Sequence, residues 1–178
     1  FPAYGHALWD PDPGNLYPAV EVGDVGYIRE GKFHRLFNVL LPAEDESHAL
    51  FGVPENYEQL ELNINRHINI GRLSPNNFCS AKVTSMPVSE RSAQGPDEIP
   101  KVSFSCPMRE GAVLYLPIEA TGANTIANAD FGKCIIRHID RWLEWARQLG
   151  LGIGRMEDII LVTGTHRTRS WTNVAFPG

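Results

Sequence analysis

Apolar residues recur along this chain with two periods: two over most of its length, and three to four in one stretch near the C-terminal end. Alternation with a period of two marks half-buried strands, because successive side chains of a strand point to opposite faces. Tyr4 to Trp9 reads as a short strand ended by Asp10-Pro11-Asp12-Pro13-Gly14, where proline fixes φ, glycine frees it and the chain must bend. Val25 to Arg29 and Lys32 to Leu41, joined by Glu30-Gly31, predict a hairpin. Both of its faces carry apolar groups, which predicts a sheet covered on both sides. Pro42 to Tyr57 is polar and bounded by proline, a loop with room for one helical turn, and its Glu44-Asp45-Glu46 cluster reads as solvated. Leu60 to Ile70 alternates Leu60, Leu62 and Ile64 with Glu61, Asn63 and Asn65, which predicts a strand, and Phe78 to Met86 predicts another after the turn Ser74-Pro75-Asn76-Asn77. Pro87 to Pro100 has no period and reads as an exposed, mobile loop. Val102 to Cys106 and Ala112 to Leu116 flank Pro107 to Gly111 and predict a second hairpin.

The period then changes. Phe131, Ile135, His138, Ile139, Trp142, Ala146 and Leu149 recur three and four residues apart while Lys133, Arg137, Arg141 and Glu144 fall on other faces, so Asp130 to Leu149 is an amphipathic helix. Asn128 or Asp130 can cap its start, and Gly150 or Gly152 can supply the left-handed stop. Asp158 to Thr163 is a continuous apolar run suited to a central strand, followed by a polar turn and a last strand ending at Phe176. The pattern predicts an α+β fold: a mostly antiparallel sheet or sandwich with one long amphipathic helix packed on it near the C-terminus.

Composition narrows the picture without naming a function. The 178 residues suit a single globular domain over 1–178, one that reads as excised from a longer chain; a leader removed before residue 1 remains an alternative. With 43% hydrophobic residues the chain can bury a sizeable core. Sixteen Lys and Arg against 21 Asp and Glu give a formal charge of -5, so the chain lacks the global field of a nucleic-acid binder. Cys79, Cys106 and Cys134 are odd in number, widely spaced and without a CxxC pair, which points to a reducing, cytoplasmic compartment. The longest apolar runs are too short to span a bilayer.

The densest polar chemistry lies in Thr163-Gly164-Thr165-His166-Arg167-Thr168-Arg169-Ser170-Trp171. Hydroxyls and amides can donate to an anion, and two arginines can fork onto phosphate or carboxylate oxygens. Thr165, His166, Arg167, Arg169 and Ser170 are therefore candidate ligand-binding residues, with His34 as a candidate base. The phosphate-loop spacing GxxxxGK[ST] is missing and the helix precedes the strand. The competing structural reading continues the strand, with Arg167 and Arg169 paired to acids on one side, His166 and Thr168 on the other, and Trp171 packed. The same basic segment could contact nucleic acid, a weaker third reading.

Histidine adjoins arginine in His34-Arg35, Arg66-His67, Arg137-His138 and His166-Arg167, and a neighbouring cation disfavours metal, so no metal or cofactor is expected. His138 lies on the apolar helix stripe, where a hydrogen-bonded core histidine is the ordinary expectation and a catalytic base the alternative. The cysteines read as buried, inert thiols. Asp140 and Glu144 share a helix face with arginines nearby and read as solvated ion pairs. Trp142, Trp145 and Trp171 read as core anchors, whereas an exposed Trp9 would mark a binding surface.

Asp158-Ile159-Ile160-Leu161-Val162-Thr163-Gly164, then Arg167 to Trp171, with Phe131 and Trp142-Leu143-Glu144-Trp145-Ala146 upstream, resemble an uncharacterised domain family of mushroom-forming (basidiomycete) fungi, often part of larger multidomain proteins. Gly23 to Tyr27 and Phe33 to Asn38 are similar to its N-terminal portion, so the resemblance spans nearly the whole chain. It implies a modular origin and carries no reaction, cofactor or catalytic residue. The expectation is a non-catalytic binding or protein-interaction module of a larger fungal protein. The rival is an enzyme or a binding domain for a small anion, phosphate or carboxylate, at the His-Arg-Thr-Arg segment.

Overall fold

The computed structural model describes residues 8, 19–80, 83–87, 102–107 and 110–176. All but Leu8 of the expected strand Tyr4 to Trp9, the turn after it and all but Pro87 of the expected loop Pro87 to Pro100 lie outside the described residues. The fold is α+β, with small antiparallel sheets and one long helix near the C-terminus. It divides into two compact units, one of Leu8–Ile70 with Gly122–Thr165, here the helical unit, the other of Phe1–Ala7, Gly71–Thr121 and His166–Gly178, here the strand unit. No helix among the described residues is long and apolar enough to cross a membrane.

In the helical unit, β1 (Asp24–Arg29) and β2 (Lys32–Asn38) form the expected hairpin. Glu30 and Gly31 turn it with φ of 52° and 79°, the paired left-handed conformation that matches the strand twist. The register slips between Val25 and Gly26, so Leu36 is an extra residue on β2, and Leu36 and Phe37 are both buried where strict alternation would expose one. A Cβ on Gly26 would strike the His34 carbonyl, which is why this close crossing needs glycine.

The third strand, β9 (Ile160–Leu161), lies on the other side of β1 in the order β2-β1-β9. The apolar run Asp158 to Thr163 is thus no central strand. A single 3-10 turn occupies Met156–Asp158, two residues pair at the sheet edge, and the Thr163 carbonyl already accepts from the Thr125 N–H.

A polar cluster sits under this hairpin. Asp24 is fully buried; its Oδ2 accepts from Arg35 Nη2 at 2.6 Å and the Glu21 N–H at 2.7 Å, and its Oδ1 from Asn38 Nδ2 at 2.8 Å. Burial pushes the Asp24 carboxyl up from its ordinary range, against the pull of Arg35 and the other donors. The Asn38 N–H donates to His48 Nε2 at 3.1 Å, so that nitrogen is an acceptor. His48 stands in the single 3-10 turn Glu46–His48, the helical turn expected of the loop.

Leu60 to Ile70 departs from the expected strand. Leu60 and Leu62 pack on the core, but Asn63 to His67 fold into a turn, α1 (Ile64–His67), with the Asn63 carbonyl accepting from the N–H groups of Arg66 and His67, both at 2.9 Å. The Asn63 side chain makes no capping bond, so its carbonyl alone holds the turn, and Ile64 is left 51% exposed. Only then does β3 (Ile68–Leu73) begin.

The long helix, α2 (Asn128–Gln148), begins two residues before the sequence boundary and has neither expected cap; the N-cap is Ala127, whose N–H donates to Thr125 Oγ1 at 3.0 Å. Its end matches expectation. Gly150 has φ of 70°, its N–H bonds the Arg147 carbonyl, and the Leu151 N–H reaches Ala146 O at 3.4 Å, a Schellman closure. The apolar stripe Phe131, Cys134, His138, Trp142, Leu143 and Ala146 packs on Val25, Tyr27, Leu36 and Phe37.

In the strand unit, β4 (Asn76–Cys79) and β5 (Thr84–Pro87) replace the single strand expected over Phe78 to Met86. β6 (Val102–Ser105) pairs with β5, and β7 (Gly111–Leu116) lies between β4 and β11 (Thr172–Phe176). With both edges of β7 taken, the expected hairpin of Val102 to Cys106 with Ala112 to Leu116 cannot form. Phe78, Leu116 and Ala120 form this unit's core, against which Trp171 packs. β8 (Ala120–Thr125) lies between β3 and β10 (Gly164–Arg167).

Candidate functional site

Within the helical unit, α2 and the extended segment after Tyr57 flank an open cleft of about 210 Å³. One wall is Glu58, Gln59 and Leu60; the other is Asp130, Lys133, Cys134, Arg137 and His138. Main-chain bonds fix the first wall to the end of β2. The Leu60 N–H donates to Val39 O at 2.7 Å, Gln59 Nε2 to Leu40 O at 2.8 Å, and the Tyr57 hydroxyl is shared between the carbonyls of Asn38 at 2.9 Å and Leu41 at 2.6 Å. The second wall follows from helical spacing, since residues three and four apart stand on one face.

Four charges rim the cleft. Arg137 Nη1 lies 3.3 Å from Glu58 Oε2, and Lys133 Nζ 3.9 Å from Asp130 Oδ1. All four side chains are substantially exposed, so each pair contributes about 0 to 1 kcal/mol and can be exchanged for a ligand at little cost. His138 differs: its side chain is 8% exposed, its ring stacks on Trp142 with centroids 6.1 Å apart, and the Glu58 oxygen stands 3.8 Å from Nε2. Neither ring nitrogen makes a hydrogen bond to a described residue. The expected hydrogen-bonded core histidine is thus a ring packed at the cleft wall, and it is not one of the buried polar groups left without a partner.

Burial holds the His138 pKa below its ordinary value; Glu58 opposes this, while Arg137 and Arg141 reinforce it. The unfolded chain consequently takes up this proton first as pH falls. Stability is expected to be intact above pH 6.5 and to decline as the pH falls through 6.5 toward the lower folded-state pKa. Urea midpoints measured between about pH 7.5 and 5 should show that part of the decline missing in His138→Gln; a variant profile that superimposes on the parent's would contradict it.

Cys134 lines the same cleft as a free, buried thiol, which burial foremost and Glu58 next push up, Arg137 opposing. It is held as a thiol at neutral pH, a poor nucleophile. Cys79 and Cys106 are partly buried thiols. Among the described residues, no group of three or more His, Cys, Asp or Glu converges to hold a metal.

The sequence-predicted residues are distributed differently. Thr165 is half-buried in β10 within the helical unit, while exposed His166, Arg167 and Arg169 and half-buried Ser170 belong to the strand unit. The strand stops at Arg167 instead of continuing. Thr168 Oγ1 donates to Ser170 O at 3.0 Å and accepts the Ser170 N–H at 3.3 Å, closing a small turn. His34 lies on β2 in the helical unit, stacked on its cross-strand neighbour Tyr27 at 4.9 Å, with the Arg29 guanidinium also 5.0 Å from the Tyr27 ring centre. The structure thus gives His34 a packing partner and leaves His166 to Ser170 as one contiguous polar segment.

Glu58, Gln59, Lys133 and Arg137 escaped the sequence reading. The available signal was a histidine inside an apolar stripe, flanked at helical spacing by Asp130, Lys133 and Arg137. No family model, curated protein or solved structure matches this chain.

Proposed function

We propose that the chain is a non-catalytic binding module of a larger fungal protein, and that its ligand-facing surface is the cleft beside α2. His138 carries this reading. Its ring lines the cleft beside the exposed charges of Glu58 and Arg137, where a ligand can take the place of solvent at the imidazole. The adjacent Cys134, held as a thiol, favours binding over nucleophilic turnover.

Thermal melting against a panel of small acids, amines, amino acids, phosphate and sulfate tests the reading, since a ligand at a hundred times its dissociation constant adds about 2.7 kcal/mol. At least one member is expected to raise the melting temperature of the parent and not of His138→Phe, which keeps the stacking on Trp142, and to be recovered unchanged by NMR. A flat response across the panel, or a shift retained by His138→Phe, overturns the cleft; conversion of the ligand overturns the non-catalytic role.

The exposed Arg167 and Arg169 favour a second reading, a small phosphate or carboxylate bound by the strand unit's His166, Arg167, Arg169 and Ser170. In that case phosphate or sulfate raises the melting temperature, Arg169→Gln abolishes the shift and His138→Phe does not.

A further inference from the structure

We infer that His48 is an acid-sensitive latch: a second proton on its ring releases the turn Glu46–His48 from the end of β2.

The first ground is the direction of one hydrogen bond. The Asn38 N–H donates to His48 Nε2 at 3.1 Å, and Nδ1 lies 3.4 Å from the Ala43 carbonyl, which can only accept. The seated ring is therefore the neutral tautomer with its proton on Nδ1. A further proton must go to Nε2, where it points at the Asn38 N–H, donor against donor. His48 is 2% exposed, so water cannot relieve the conflict while the turn stays in place. A buried donor denied its acceptor shifts an equilibrium by about five- to a hundredfold.

The second ground is what this bond holds. Other bonds of the turn close on the loop itself: the His48 N–H to Asp45 O at 3.0 Å, the Ala49 N–H to Glu46 O at 3.1 Å and the Gly52 N–H to His48 O at 2.7 Å. The imidazole ties the turn to the hairpin, while Ser47 Oγ, buried in the same turn, has no partner and adds no tether.

The surrounding charges do not supply the acceptor that a protonated Nε2 needs. Asp45 caps the turn and is held below its ordinary value by Ser47 foremost, with His48 and Arg35 contributing. Among the described residues no carboxylate forms an ion pair with this ring, so Asp45 attracts the proton only from a distance. Glu44 and Glu46 are exposed. From β2, Arg35 opposes the proton and is itself committed to Asp24 of β1. Tyr57 stands edge-on to the ring, with centroids 6.2 Å apart, and burial pushes its hydroxyl up, so it stays neutral.

Exchange of the Asn38 N–H with deuterium requires this bond to break, so NMR exchange rates, corrected for the chemical effect of pH, read the latch directly. A released imidazole titrates near the ordinary histidine value of about 6.5, so Asn38 protection should fall by up to about thirtyfold between about pH 7.5 and 5. The fall should exceed that at Trp142 in α2, which reports unfolding of the whole unit. His48→Gln, which can still accept from Asn38 and takes no proton, should abolish it, whereas His138→Phe should leave it in place. Protection that does not change with pH, a fall retained in His48→Gln, or an equal fall at Trp142 overturns the latch. Should His48→Gln not fold, the parent alone decides. A ring seen by NMR to take up its second proton as Asn38 loses protection upholds the latch, and uptake with Asn38 still protected overturns it.

Discussion

Trp142→Ala is expected to lower the unfolding free energy by about 3 to 5 kcal/mol, the range for truncating a large buried aromatic. Trp142 is 4% exposed and meets Phe37 edge to face, with centroids 5.4 Å apart and planes at 77°. Phe37, itself fully buried, also contacts Trp145 at 5.6 Å and Tyr57 at 5.9 Å, so the indole is one of three rings closing around it. Collapse into the vacated space is opposed by β1 and β2 on one side and by the helix backbone on the other. Urea unfolding gives the measurement: the midpoint should fall with the slope preserved. A loss below about 1 kcal/mol would place Trp142 outside the core. The same truncation removes the ring against which His138 stacks.

Asp24→Ala should cost a comparable amount, about 3 to 5 kcal/mol, for a different reason. The carboxylate answers three donors, and one belongs to Arg35, whose side chain is only 10% exposed. Burial already disfavours the charged carboxylate, so the pair need not be a net gain to the fold. Removing one member is nevertheless worse than keeping both, because it strands a guanidinium left with a bond to the Ala19 carbonyl at 3.0 Å. The double variant Asp24→Leu with Arg35→Met should lose less than Asp24→Ala alone, since no buried charge remains. A double variant at least as unstable as the single one would show that the cation is not the source of the cost.

The elements legible in the sequence are those whose signal is local. Glu30-Gly31 between two apolar runs fixed the hairpin, and the recurrence from Phe131 to Ala146 fixed α2 along with its Gly150 stop. Strand partners were not legible because pairing is decided by competition for edges. β6 looks like the first arm of a hairpin until β7 is seen to be occupied on both sides. Ile160 and Leu161 look central because they are apolar, yet they form a two-residue edge. Leu60 to Ile70 imitates a strand through alternation, but backbone bonding at Asn63 overrides the pattern.

The cleft was illegible for a similar reason. Glu58 belongs to a stretch without periodicity, and only folding brings it opposite Arg137 and His138, far along the chain. His138 was placed correctly as a buried residue, but the approach of Glu58 to its Nε2 is a property of three-dimensional neighbours. The segment from Thr165 to Ser170 stood out through composition, which reveals available chemistry and not whether a cavity accompanies it.

Because β1 is flanked by β2 on one side and by β9 on the other, the hairpin must wait during synthesis. The ribosome delivers its second neighbour only after the whole of α2 has been made, and an isolated two-stranded hairpin is at best marginally stable in water. Until then the nascent chain presents a bare strand edge, open to pairing with another nascent chain on the same message. Translation stalled before Ile160 would therefore leave Val25 and Gly26 without the strand that pairs them.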